Sequence, residues 1–303
     1  MKLLSTFAVA FSLSLASGSA FSVQVSAPFT DSGQYRHTFL GDGSSHESTH
    51  VELANVHNSI SHQAGQTGNE SGVFFGTAFT HSRRAYYAFD LSGVTDNVTA
   101  ATFRVWGWAP HSANSSTGVY TSQDASETLQ LRSLDEFTAS EIVDAPYQDL
   151  NNHTLDVPIW KDLADGDIYG SRVFTLADEQ NPGLIASPTA ASPDCSDPSA
   201  NACGRWFDIE LTGEALADIN AANDGWAFGA IVSTIDGTGA QELFAGNVVD
   251  FNDTDSSFYP AFTTPTPELL LTTSPVPVPV PAAAWLFGTA LAGLAGVKRK
   301  RMM

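Results

Sequence analysis

AYYAFDL (residues 85–91), SGVTDN (92–97) and VTAATFRVWGW (98–108) follow one another without a break. The first run is aromatic and compact. The second holds the Ser, Gly, Asp and Asn residues that turn a chain. In the third, Phe103, Val105 and Gly107 alternate with Arg104, Trp106 and Trp108. An alternation of period two puts successive side chains on opposite faces, so the block reads as two strands joined by a turn. Six further runs of the same kind follow, at Glu127–Leu134, Arg172–Leu176, Arg205–Leu211, Trp226–Ser233, Gln241–Ala245 and Glu268–Thr272. Eight short strands with turn residues between them predict a mainly β chain built as a two-sheet sandwich. No fixed sequence period argues for a solenoid or propeller.

One helix interrupts the pattern. TGEALADINAAN (212–223) has Thr212 placed to cap, Glu214 in the first turn, and Leu216 and Ile219 on one face. This element is expected to cover an edge or end of the sandwich. The long polar stretches Gly41–Ser71, Ser112–Ser126 and Asp178–Ala202 read as loops.

Both chain ends differ from this body. Residues 1–20 open with Lys2, continue through an apolar run from Leu3 to Leu15 and finish in small residues up to Ala20, the layout of a cleaved secretory signal. At the other end an extended Pro-Val spacer (274–281) leads into the uncharged run Ala282–Val297, then into Lys298, Arg299, Lys300 and Arg301 within a basic tail (298–303). Sixteen helical residues cover about 24 Å against a hydrocarbon core of about 30 Å, so a single transmembrane helix is expected if the basic side chains snorkel. Clustered cations stay cytoplasmic, which puts the body (21–273) outside.

The tail resembles a PEP-CTERM sorting signal. Its parts are matched by Val278, Pro279, Val280 and Pro281, by AAAWLFGTALAGLAGV with Trp285 and Gly288, and by the KRKR cluster. Val280 stands where the name-giving motif has Glu, as in the VP-x-PAAAWLFG variant. The resemblance implies export across the inner membrane of a Gram-negative bacterium, transient anchoring by the C-terminal helix, processing by an exosortase, and delivery to the cell surface or extracellular matrix. A second resemblance covers the body. FDLSGVTDNVTAATFRVWG (89–107), LTGEALADINAANDGWAFGAIVS (211–233) and PELLLTT (267–273) are similar to carbohydrate-binding-module-like domains. That likeness implies a jelly-roll-like fold and an adhesive or matrix module of unassigned ligand, with no catalytic residues to carry over; in the matrix, extracellular polysaccharide is the expected partner of such a sandwich.

The body holds eight strong bases and all 33 acids of the chain, a formal charge of −25. Such a field repels nucleic acid phosphates, so nucleic acid is excluded as a partner. Cys195 and Cys203 lie in one loop, PDCSDPSANACG, and an oxidising compartment favours a local disulfide over free thiols.

Three groups of residues could carry chemistry. His46-Glu47-Ser48-Thr49-His50 is a literal H-E-x-x-H, which on a helix would bind zinc through His46 and His50 with Glu47 activating water. Its Ser-, Thr- and Gly-rich surroundings favour a solvated loop, and a secreted zinc metallopeptidase is the alternative rather than the main reading. Asp250, Asn252, Asp253 and Asp255, and separately Asp162, Asp165 and Asp167, could hold a structural calcium, although neither run fits an EF-hand. No other cofactor is implied. Trp106 and Trp108 share one face of their strand and form a candidate glycan platform.

Overall fold

In the computed structural model of the chain, the aromatic run around Tyr86 becomes the C-terminal part of a 14-residue strand, on which four other described strands pair. The structure describes residues 22–40, 45–53, 64–66, 70–74, 77–108, 119–144, 156–180, 185–186, 203–236, 239–244 and 265–274. The chain divides into two compact units, Gln24–Thr273 and the two chain ends. Of the ends, only residues 22, 23 and 274 are described. The predicted signal (1–20), sorting motif, apolar run and basic tail therefore lie outside the described residues. Among the described residues no helix is long and apolar enough to cross a membrane.

The strands are β1 (Val23–Ala27), β2 (Phe29–Leu40), β3 (Ser45–Leu53), β4 (Ala64–Gln66), β5 (Glu70–Phe74), β6 (Thr77–Asp90), β7 (Asn97–Trp108), β8 (Tyr120–Ser122), β9 (Glu127–Arg132), β10 (Ile168–Phe174), β11 (Ile185–Ala186), β12 (Cys203–Glu210), β13 (Gly225–Val232), β14 (Gln241–Leu243) and β15 (Glu268–Ser274). The helices are α1 (Ala139–Val143), α2 (Asp156–Asp165), α3 (Leu176–Gln180) and α4 (Gly213–Ala221). The smaller sheet has the order β1-β15-β7-β12-β11. The larger runs β10-β9-β13-β6-β4-β14-β8, with β2 and β5 also on β6 and β3 on β2. The β6–β13, β2–β6 and β7–β12 pairs are antiparallel. The chain is thus mainly β with curled antiparallel sheets, as its alternation predicts.

Alternation decides which face each strand gives to the core. On β7, Ala101, Phe103 and Val105 are buried inward, and β12 answers with Phe207 opposite Val105 and Ile209 opposite Phe103. From the larger sheet come Tyr87, Phe89 and Phe228. Phe103 meets Tyr87 at 4.7 Å between ring centroids and Phe228 at 5.0 Å edge-on, so aromatic rings interlock across the sandwich. The other face of β6 is buried too. Tyr86 and Tyr35 lie under Ile142 of α1 and Ile159 and Leu163 of α2. Burial on both faces is why AYYAF reads as an unbroken apolar run rather than an alternating one.

All eight strands expected from the sequence are present, and Thr212 caps α4 by accepting the Ala215 N–H. Ala215 and Ile219 bury that helix against the main core, while the Asn220 side chain bonds both the N–H and C=O of Val98. Two expectations need correction. The single expected helix is joined by three more, α1, α2 and α3. The first of the three polar loops contains β3, β4 and the start of β5, and the other two hold the short strands β8 and β11. Thr, Ser and Gln side chains satisfy turns and strands alike, so polarity alone does not mark these segments as loops.

Candidate functional site

The outward face of the smaller sheet carries Trp106 of the predicted platform. Antiparallel register sets Trp206 opposite Trp106, Asp208 opposite Arg104 and Glu210 opposite Thr102. The Arg104 guanidinium grips Asp208 through two parallel bonds, Nε to Oδ1 at 2.7 Å and Nη2 to Oδ2 at 3.0 Å, with Glu268 of β15 at 3.8 Å. The Asp208 bond raises the Arg104 pKa. Arg104 also lies 5.6 Å from the Trp206 ring. A planar fork held by a carboxylate beside an indole is a rigid polar-aromatic surface.

Trp106 departs from the expectation. Its indole stands edge-on to Trp206 at 5.3 Å but is 0% exposed. Gly204 makes the room, because a Cβ there would sit 2.7 Å from the Trp106 ring. Trp106 is therefore a packed support, and Trp206, half-buried, is the indole of this pair with surface to offer. The backbone of Trp108 ends β7 opposite Gly204, and its side chain lies outside the described residues. Alternation assigns the face correctly but cannot reveal what else covers it.

A second feature is a pocket of about 310 Å³ lined by Asp135, Glu136, Pro158, Lys161, Asp162 and Asp165. Its acids come from α2 and from the turn after β9. Asp162 is buried, and its carboxylate accepts the backbone N–H groups of Asp135 and Glu136 at 2.8 and 3.0 Å and of Phe137 at 3.2 Å. The oxygens assigned to calcium in the sequence thus hold a turn. Asp165 is exposed on the same helix, and Asp167 lies beyond it, donating its N–H to Ser133 Oγ. Among the described residues no three His, Cys, Asp or Glu side chains gather as a metal site. The run at Asp250, Asn252, Asp253 and Asp255 lies outside them.

Beside this pocket Arg84 lies flat on Trp160 at 3.3 Å and donates to the carbonyls of Trp160 and Lys161. Burial pushes its pKa down to about 10, with Asp165 acting in the opposite sense. Below it, Asp31 is 1% exposed, accepts from Tyr86 Oη at 3.1 Å and from the Ser32 N–H at 2.8 Å, and is raised to about 6 by burial. Nothing in the sequence marks Asp31, because its burial depends on a register shift in β2 between Phe29 and Asp31.

The H-E-x-x-H motif falls in β3, not on a helix or in a loop. Its pairing to β2 slips across the motif, from Arg36 opposite His50 to Thr38 opposite His46. The helical face on which the zinc peptidase geometry depends is therefore absent. Cys203 opens β12, whereas Cys195 and the sorting residues Val278, Pro279, Val280, Pro281, Trp285, Gly288, Lys298, Arg299, Lys300 and Arg301 lie outside the described residues. Against models of known protein families and against curated protein sequences, the chain finds no match.

Proposed function

We propose that this chain is a non-catalytic exported protein of the cell surface or extracellular matrix, sorted through its C-terminal signal by an exosortase. The observation that carries the reading is the order of parts in SPVPVPVPAAAWLFGTALAGLAGVKRKR: extended spacer, apolar run, basic cluster. The described body ends where that module begins, since β15 stops at Ser274. We take the two curled sheets as a jelly-roll-like sandwich whose outward face, with Trp206 and the Arg104–Asp208 fork, binds polysaccharide. Stacking on an indole flanked by charged hydrogen-bonding groups suits sugar rings.

Deleting the exosortase gene of the producing bacterium tests the sorting step. Mass spectrometry of the protein from wild-type cells should give a species lacking the basic tail, and the deletion strain should retain the chain through Arg301 in the membrane. Identical termini in both strains would remove the sorting claim.

A further inference from the structure

Two arginines share one carboxylate where the two sheets approach each other. Arg172 comes from β10 of the larger sheet and Arg205 from β12 of the smaller, and both reach the same oxygen, Asp178 Oδ1, at 3.5 and 2.8 Å. The other oxygen of Asp178 is committed elsewhere. Oδ2 accepts the Thr175 N–H at 2.9 Å and Thr175 Oγ1 at 3.3 Å, which fixes the carboxylate at the start of α3. Neither guanidinium therefore receives the two-oxygen grip that Arg104 has on Asp208. The Asp208 carboxylate is spent on that grip, and Asp208 offers this cluster its backbone carbonyl, which accepts Arg172 Nη1 at 3.1 Å. Among the described residues Arg205 donates to Asp178 Oδ1 alone, and the Nε atoms of both arginines are buried without an acceptor. A guanidinium carries five N–H donors, so the pair holds far more donors than acceptors. Beneath it lies aromatic surface and no countercharge. Arg172 sits 5.2 Å from the Phe174 ring and 5.0 Å from Phe207, and Arg205 sits 4.6 Å from Phe207.

We propose that Arg172 and Arg205 form an oxyanion site, which takes a carboxylate or sulfate group as a second anion beside Asp178. Two cations against one anion leave an excess positive charge here, inside a body of −25. Guanidinium forks match planar and tetrahedral oxyanions through paired N–H donors. The two side chains are 31% and 18% exposed, so an anion reaches them from solvent while the phenyl rings behind them keep the pairing from full screening. Asp178 stays in place, held through Oδ2 by Thr175, and the incoming group takes N–H donors that Asp178 leaves over. The acidic body opposes anions at long range, so selectivity lies in the paired arginines rather than in the general field. The same chemistry is presented by a free ion and by a uronate or sulfated polysaccharide, the second of which rests on the matrix reading above.

Isothermal titration of the purified full chain with sodium sulfate and with oligogalacturonate, at ionic strength held constant with sodium chloride, tests the site. Saturable binding is expected. Arg205→Gln should weaken it at least about tenfold, because a charged donor is lost. Asp178→Asn should strengthen it about tenfold, because the competing charge goes and both guanidiniums stay. Misfolding cannot produce that gain. Arg132→Gln, which removes the same charge from β9, should leave the affinity unchanged. Tighter binding of the oligomer than of sulfate assigns the group to a polysaccharide; equal or weaker binding assigns it to the free ion. The proposal is overturned if neither wild type nor Asp178→Asn binds either probe. It is also overturned if Arg205→Gln and Arg132→Gln weaken binding equally, since that is the effect of net charge alone. Either failure leaves the sorting reading and the Trp206 face standing, because neither depends on Arg172 or Arg205.

Discussion

Asp31 shows how one buried group governs a measurable property. Its carboxyl lies under the α1 and α2 layer with Tyr86 and Ser32 as hydrogen-bond donors, and no described cation offsets its charge. Of the elements packed on β2 and β6, β6 carries Arg83, Arg84 and Asp90, α2 carries Lys161, Asp162 and Asp165, α1 carries Glu141, and β13 carries no ionisable side chain. Arg83 is engaged with Glu242 and Arg84 with α2 carbonyls. Because the folded value is raised to about 6 from 3.8, the folded state holds this proton more tightly than the unfolded chain does. The contribution is complete below the unfolded value, falls as pH rises from about 4 to about 6, and is level above that. Urea unfolding of wild type and Asp31→Asn across that range should show wild type losing about 1–2 kcal/mol relative to the variant. A wild-type advantage that grows with pH would mean the carboxylate is the favoured form and that its two donors outweigh burial.

At the scale of elements, α2 is fixed by what lies beneath it. Gly229 of β13 lets the helix approach so closely that a Cβ would stand 2.2 Å from the Leu163 carbonyl and 2.8 Å from its Cα. These are backbone atoms, so Gly229→Ala must move the helix rather than rotate a side chain. A cost of about 1–3 kcal/mol is expected, read as a lower melting temperature with loss of the Trp160 environment by fluorescence. An unchanged melting temperature would show that the helix is loosely seated. The alternating strands are legible in the sequence because Phe103, Val105 and Phe207 obey a period of two, and α4 is legible because Thr212 caps it. α2 is not, since DVPIWKDLAD has a Pro near its start and acids that read as calcium ligands. Nor are β2 to β5: the polar residues of β2 and β4 gain order from pairing with β6, a contact between residues distant in sequence, and β3 in turn pairs with β2. The same limit applies to the platform: register places Trp106 and Trp206 together, but the burial of Trp106 depends on Gly204, nearly a hundred residues away.

For the molecule as a whole, charge is the dominant unbalanced term. In the body, residues 21–273, eight strong bases face 33 acids, and the ion pairs do not spread the positive charge widely. Arg172 and Arg205 converge on the one carboxylate of Asp178, at 3.5 and 2.8 Å. Arg84 directs its hydrogen bonds to carbonyls. Most acids therefore repel one another, and folding brings them closer than they are in the expanded unfolded chain. Salt should relieve this more than it weakens the exposed Arg104–Asp208 pair, since exposed pairs contribute at most about 1 kcal/mol whereas screening acts on every acid within about 10 Å of another at roughly 0.1 M. Raising sodium chloride from about 0.05 to about 0.5 M should raise the melting temperature, by about 2–4 °C for each kcal/mol recovered. A fall would instead show that the Arg-carboxylate contacts outweigh the general repulsion. Magnesium chloride at matched ionic strength separates two causes of a rise: an equal effect means screening, and a larger one means that the acidic surface collects divalent cations at particular places.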